Sequence, residues 1–337
     1  MNHGRKATLS EIARLAGVSK ATVDRVMNNR GSVQPQTRLI VMQAASRAGH
    51  PGATDPLPEV ASAVAPPVTV LLPQLNAGYL STLTRKLQDS HAAGTLAPDI
   101  VTVPRVSPEN YAAAIDRAET PYLAIIAVDH PLVRQSCAAY ARRGGKLVTL
   151  LSRISDIPCL AHVGVDNRAE GRLAAWFAQV FRGSGTGEIA FLHGLSTFQS
   201  QEQRELGFRS AIQESGNLSI TAAFETANTT SEAVIDAVTN LLAGHPNLTI
   251  LYNMSIRNRE VAEAVARSGR KVVLIGHDLT DTTKQLLLEG RMAVVLDQNI
   301  GMLIDQLGTG IARDHAGLAW PTERIEPRFF CRENLPI

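Results

Sequence analysis

From Val68 onward, short apolar runs alternate with longer stretches in which apolar residues recur every three or four positions. Ten of the short runs read as strands: VTVLLP, IVTVP, LAIIAVD, KLVTLLS, HVGVD, EIAFLHG, ITAAFE, LTILYN, KVVLIGHD and MAVVLDQ. Stretches such as AGYLSTLTRKLQDSHAAG and SEAVIDAVTNLLAG carry the helical period and separate most of them. Alternating strand and helix predicts an α/β body of parallel sheets with helices on both faces. Ten strands suit two doubly wound sheets of about five strands each, hence two lobes.

Residues 1–50 follow another pattern. Thr8 and Glu11 have the spacing of a capping box, and Ile12, Leu15 and Ala16 form an apolar stripe behind them. Gly17 ends this helix, Val18 plugs a small core, and Ser19 caps a second helix. Val23, Val26 and Met27 face inward; Lys20, Ala21, Thr22, Asp24, Arg25 and Asn28 face outward. After the loop NRGSVQ, Pro35 opens a third helix that Gly49 closes, with Val41, Ala44, Ala45 and Ala48 inward. Helix, glycine turn and helix give helix-turn-helix geometry, whose second helix enters the DNA major groove.

Charge supports that reading. Residues 1–50 hold eight lysines and arginines against two acids, although the whole chain carries only +2. A basic head on a mildly acidic body points to a polyanion partner for the head. Lys20 and Arg25 can donate to guanine O6 and N7, and Ala21 can touch a thymine methyl. Ser10, Ser19, Thr22 and Asn28 can bond phosphates, and Thr8 joins them as a candidate DNA contact. Asp24 has two readings: a group that reads cytosine N4 or positions Arg25 or Lys20, and a solvated acid that weakens nonspecific binding.

Other classes are poorly supported. The N-terminus lacks an apolar leader, and no apolar run approaches the ~20 residues of a membrane span, so a cytoplasmic location is expected. Cys137, Cys159 and Cys331 are too few and too scattered for a disulfide framework or zinc site. The glycine run GSGTG precedes a strand, whereas a dinucleotide loop follows one. No catalytic motif is present, so neither an enzyme nor a cofactor is expected.

In open parallel sheets, ligands bind beyond the carboxyl ends of the strands. Those ends carry Gln74, Asn76, Asp129, His130, Ser152, Arg153, Asp166, His193, Asn253, His277, Asp278, Asp297 and Gln298, with Tyr79 and Phe198 close by. Amides, carboxylates and arginine suit the hydroxyls of a polyol, and aromatic faces suit the C–H side of a sugar ring. The same groups also serve as ordinary loop caps.

The segment TLSEIARLAGVSKATVDRVMNN…SVQPQTRLIVMQAASRAG resembles the DNA-binding head of the lactose/galactose repressor family. The family pattern reads roughly T-[LI]-x-[DE]-[IV]-A-x-x-A-G-V-S-x-x-T-V-S-R-V-[LVM]-N. The chain departs from it at Asp24, where serine is usual. The resemblance implies that Lys20, Ala21 and Arg25 read bases of double-stranded operator DNA. It also implies a homodimer on a roughly palindromic site and a sugar, polyol or sugar-derivative effector. The five prolines of residues 51–67 argue against the minor-groove hinge helix that this family often forms.

The body is similar to the sugar-binding core that these repressors share with periplasmic binding proteins, in a branch nearer the ribose-binding type. The resemblance implies ligand contacts from Asn76, Tyr79, Arg153, Arg204, Asn253, Asp278 and Gln298, and the strand-end Asp129 joins them as a candidate. HVGVDNRAEGRLAA is similar to the V-x-x-D-N-x-x-G-G stretch, and QEQRELGFRSAI to R-x-x-G-[FY]. Two alternatives stand beside this: Asp166 as a helix cap, and Arg204 paired with Glu202 or Glu205. The expected division is head 1–50, linker 51–67 and core 68–337. Lobe one takes about 68–168 and 299–320, lobe two about 169–298 and 321–337. A solute-binding or enzymatic protein on the same core is the alternative function.

Overall fold

The computed structural model describes residues 8–28, 37, 41, 44–45, 65–75, 78–194, 197–226 and 230–336. The chain divides into two compact units, Met1–Val64 and Ala65–Ile337.

In the first unit, α1 (Leu9–Ala16) and α2 (Lys20–Met27) are joined by Gly17, whose φ of 64° is left-handed backbone that suits glycine. Thr8 and Glu11 form the capping box: Thr8 N–H donates to Glu11 Oε2 at 2.8 Å. Ser19 caps α2 by accepting from Thr22 N–H. Ile12, Ala13, Val23 and Val26 pack with Val41, Ala44 and Ala45 in one small core. Ala13 takes the buried place expected of Leu15, which is half exposed. A stripe drawn from i, i+3 and i+4 put the wrong neighbour of Ile12 inward. Of the expected third helix, residues 37, 41, 44 and 45 are helical, and the rest lies outside the described residues. So does the linker up to residue 64.

The second unit holds two sheets. The first takes β1 (Pro67–Pro73), β2 (Ala97–Val103), β3 (Tyr122–Ile125), β4 (Lys146–Leu150) and β5 (Ala161–Val163) in the order β2-β1-β3-β4-β5, all parallel. The second takes β6 (Gly187–His193), β7 (Leu218–Glu225), β8 (Leu248–Asn253), β9 (Val273–His277), β10 (Val294–Asp297) and β11 (Arg328–Phe330) in the order β11-β10-β9-β8-β6-β7. The last of these was not expected. It is antiparallel to β10 and three residues long, too short to show alternation.

Helices connect the strands: α3 (Gly78–Ala92), α4 (Pro108–Arg117), α5 (Pro131–Arg142), α6 (Asn167–Arg182), α7 (Gln199–Ser215), α8 (Ser231–Gly244), α9 (Asn258–Arg267), α10 (Asp281–Leu288) and α11 (Ile300–His315). Strand periodicity sorts the second sheet's residues between two faces. Phe191, Tyr252 and Ile275 join one apolar cluster; Leu192, Leu251 and Leu274 join the other. Although α11 follows the second sheet in sequence, its Ile300, Leu303, Leu307 and Ile311 pack into the first sheet's core. The chain therefore passes between the lobes after β5, after β10 and before β11. Val165 and Ile325 lie side by side where two of these passages meet.

One helix contact sets up the site. Gly171 of α6 and Gly207 of α7 lie so close that a Cβ on the first would overlap the Arg204 carbonyl, and one on the second the Arg168 carbonyl. The two backbones touch, and side chains beside the contact are forced together.

Candidate ligand cleft and DNA-facing helix

Beside that contact, Arg204 Nε donates to Glu170 Oε2 at 2.9 Å, with both side chains buried. Glu170 Oε2 also lies 3.8 Å from His277 Nδ1 at the end of β9. His277 Nε2 is 2.7 Å from the Tyr252 hydroxyl. The next residue, Asp278, has left-handed φ of 66° and accepts from Gln298 Nε2 at 2.7 Å. Asp297 accepts from the Leu279 and Asn299 backbone N–H groups and from Arg328. Tyr79 is buried in the first turn of α3. Gly78, Tyr79, Asn258, His277, Asp278 and Thr280 help line a cavity of about 420 Å³.

Burial shapes the protonation states. Desolvation, and secondarily Arg204, hold His277 well below the usual imidazole range, so it is neutral. Burial pushes Asp278 up to about 7 against the pull of Arg204 and the Gln298 hydrogen bond. Burial also pushes the Tyr79 hydroxyl up, with Asp278 and Asp297 adding to the rise. Desolvation works against the Arg204 cation, but Glu170 and then Asp278 outweigh it. The cluster thus offers one cation, neutral donors and acceptors, and a carboxyl that titrates near neutrality.

Five buried polar atoms here have no hydrogen-bond partner among the described residues: the Tyr79 hydroxyl, Glu170 Oε1, Arg204 Nη2, His277 Nδ1 and Gln298 Oε1. Each such atom costs roughly 1–3 kcal/mol when left unpaired. Both donors and acceptors are among them, which is what several ligand hydroxyls would satisfy.

The expected ligand residues divide. Tyr79, Arg204, Asn253, Asp278 and Gln298 come together at the carboxyl ends of the second sheet. Asn253 is internally committed: its amide donates to Asn258 Oδ1 at 2.8 Å, and its oxygen accepts from Ser255. It shapes the turn into α9. Asp129 is tied to Arg134 Nε at 2.6 Å and to Ser155 at both N–H and Oγ, so it fastens a loop onto α5. Arg153 is exposed and lines a different cavity, with His162, Arg168 and Arg324. Asn76 lies outside the described residues. Asp166 caps α6 by accepting from Ala169 N–H at 3.0 Å. Arg204 pairs with Glu170 and not with Glu202 or Glu205; Glu205 pairs with Arg209.

Glu170 and Tyr252 were missed. For Glu170 a signal existed: it stands at the first glycine of the G-G pair in the V-x-x-D-N-x-x-G-G pattern. Tyr252 gave none, because a tyrosine in a strand reads as core. Among the described residues, no group of histidines, cysteines and acids is arranged to hold a metal ion, and no helix is long and apolar enough to cross a membrane.

In the head, Ser10, Lys20, Ala21, Arg25 and Asn28 are exposed, and Thr22 and Asp24 are half-buried. Ser19 Oγ and Thr22 Oγ1 share a hydrogen bond of 2.8 Å. Asn28 Nδ2 donates to Asp24 Oδ1 at 2.8 Å. Among the described residues, Asp24 holds Asn28 and makes no pair with Lys20 or Arg25. Thr8 is engaged with Glu11.

Residues 8–50 match the bacterial regulatory proteins of the lacI family, and residues 72–308 match the periplasmic binding protein domain. The chain belongs to the lacI family of regulators, built on a periplasmic-binding-protein core. It is 26% identical over 262 residues to the HTH-type transcriptional regulator GalS of Salmonella typhimurium, spanning 73% of this chain and 71% of that one. The head is 48% identical over 44 residues to the sucrose operon repressor of Vibrio alginolyticus, 13% of this chain and 47% of that one. The glucose-galactose binding protein GanP of Geobacillus stearothermophilus superimposes with a TM-score of 0.72 at 19% identity, over 81% of this chain and 99% of that one. This lacI-family chain is thus a DNA-binding transcriptional regulator by its head, and a two-lobed binding protein by the fold of its body.

Proposed function

We propose that this regulator is a cytoplasmic, homodimeric repressor whose grip on operator DNA responds to a sugar or polyol held between the lobes. The observation that carries the ligand half is the set of five unpaired buried polar atoms beside Asp278 and Arg204. They fit neutral hydroxyls from several directions, and the names of the sucrose operon repressor and of the glucose-galactose binding protein GanP point to sugars. Tyr79, Arg204, Asp278 and Gln298 contact the ligand; Glu170, Tyr252 and His277 hold them in place. Lys20, Ala21 and Arg25 read bases, and Ser10, Ser19, Thr22 and Asn28 hold phosphates, with Thr8 fixing the start of α1. The lacI-type head and the regulators GalS and the sucrose operon repressor among its relatives support a regulatory role over an enzymatic one.

Ligand closing the lobes must bind one arrangement better than another to shift DNA affinity. Such coupling is commonly about 1–3 kcal/mol, or roughly 5–150-fold. The test is a thermal-shift screen of the full chain against monosaccharides and polyols, followed by operator titrations with each hit. A hit should raise the melting temperature of wild type, change operator affinity, and do neither in Asp278→Ala, which still binds DNA. A full response in Asp278→Ala would remove Asp278 from the site.

A further inference from the structure

A second cavity of about 560 Å³ lies apart from the polar cluster, at the passages between the lobes. Lobe-one residues Arg153 and His162 form one side, and Arg168 and Asn167 of α6 form the other. Arg324 approaches from the segment that returns to the second sheet before β11. The first turn of α7, where Ser152 Oγ accepts from Ser200 N–H at 3.1 Å, supplies a further wall. The size suits a small-molecule ligand.

Its charge is opposite in kind to that of the polar cluster. Arg153, Arg168 and Arg324 are exposed and make no ion pair or side-chain hydrogen bond among the described residues. Two acids also line the cavity. Asp166 is committed to capping α6, and Glu323 is exposed. His162 is held down to about 4 by burial and then by Arg153, so it adds no charge near neutrality. Three guanidinium groups and a helix N-terminus therefore face two carboxylates, one of them already engaged. Arginine forks and helix N-termini both select phosphate oxygens.

A further observation points to a ligand and not to a solvated basic patch. Asn167 is only 8% exposed and lines the cavity. Its amide donates to the Leu151 carbonyl at 2.9 Å, which leaves Oδ1 as an acceptor with no partner. An acceptor needs a donor, and a fully ionised anion has none. An occupant with a hydroxyl besides its negative charge supplies that donor.

We propose that this cavity is a second effector site that takes a phosphorylated polyol, with phosphate among Arg153, Arg168 and Arg324 and a hydroxyl donating to Asn167 Oδ1. Because its walls come from both lobes, occupancy favours the lobe arrangement that forms it. By linkage, the phosphorylated ligand and the neutral ligand of the polar cluster then alter each other's affinity by the same factor.

The full chain is titrated calorimetrically with glucose 6-phosphate, inorganic phosphate and glucose at one ionic strength. Glucose 6-phosphate should bind saturably, and more tightly than inorganic phosphate. Arg324→Gln and Arg168→Gln change exposed residues and should each weaken glucose 6-phosphate by about tenfold. Responses to unphosphorylated sugars should be unchanged in both. Absence of saturable binding by either anion, or wild-type affinity in both variants, overturns the site. Equal affinity for the two anions overturns the hydroxyl contact at Asn167. The polar-cluster reading is judged separately, through Asp278→Ala.

Discussion

Glu170 and Arg204 form an ion pair at 2.9 Å with both side chains shut away from solvent, one on α6 and the other on α7. A buried pair is a weak source of net stability, but removing one partner leaves the other charged in an apolar surround. Glu170→Ala should lower unfolding free energy by roughly 3–5 kcal/mol. Urea denaturation measures it through a shifted midpoint. A loss below about 1 kcal/mol would show that the pair is hydrated and that Arg204 is stabilised by other groups.

The pair depends on how closely its helices approach. Gly171→Ala and Gly207→Ala each place a methyl into the facing backbone, which cannot move aside as a flexible side chain would. Overpacking of this kind costs roughly 1–3 kcal/mol. Each variant should also weaken the effector response, because Arg204 shifts with α7. The checks are melting temperature and the ligand-dependent change in operator affinity, measured on the same preparations.

The sequence disclosed the architecture because the body obeys its periods. Each of the ten expected runs overlaps a strand of the two sheets, although LAIIAVD meets only Tyr122–Ile125 and HVGVD only Ala161–Val163. The eleventh strand was hidden, since a three-residue edge strand paired to β10 has no period of its own. The lobe membership of α11 is a matter of which core its apolar face meets. Among site residues, Asp278 and Gln298 were legible as polar groups at strand ends, and Arg204 through the resemblance of QEQRELGFRSAI to R-x-x-G-[FY]. Asp129 looked equivalent, but its oxygens are consumed by Arg134 and Ser155, a long-range pairing that spacing cannot reveal. Glu170 was concealed for the opposite reason: an acid within a helix reads as surface until a second helix covers it.

Asp278 gives the fold a pH dependence of defined sign. Its carboxyl titrates at about 7 in the folded chain, above its ordinary value of 3.8, chiefly through burial. The folded form therefore binds this proton more tightly than the unfolded form. The resulting stabilisation is complete below pH ~4 and disappears as pH rises through about 7. Asp278→Asn should remove that contribution, giving a flatter profile of stability against pH between about 4 and 7. Chemical denaturation at a series of pH values compares the two proteins. Identical slopes in both would place the titration elsewhere.

The head offers a prediction that separates reading from gripping. Asp24 accepts from Asn28, so one of its oxygens is already engaged, and its charge still opposes the phosphates beside α2. Asp24→Ser should raise affinity by a similar factor for operator and scrambled duplex, because it removes a negative charge beside the phosphates. Arg25 is exposed on the same helix without an ion pair among the described residues. Arg25→Ala should cost roughly 1–3 kcal/mol on operator and relax discrimination at one base pair. Fluorescence anisotropy at fixed salt, with single-base operator variants, measures both. An operator-specific change from Asp24→Ser would mean that the acid reads a base, and a uniform loss from Arg25→Ala would reduce that arginine to a phosphate contact.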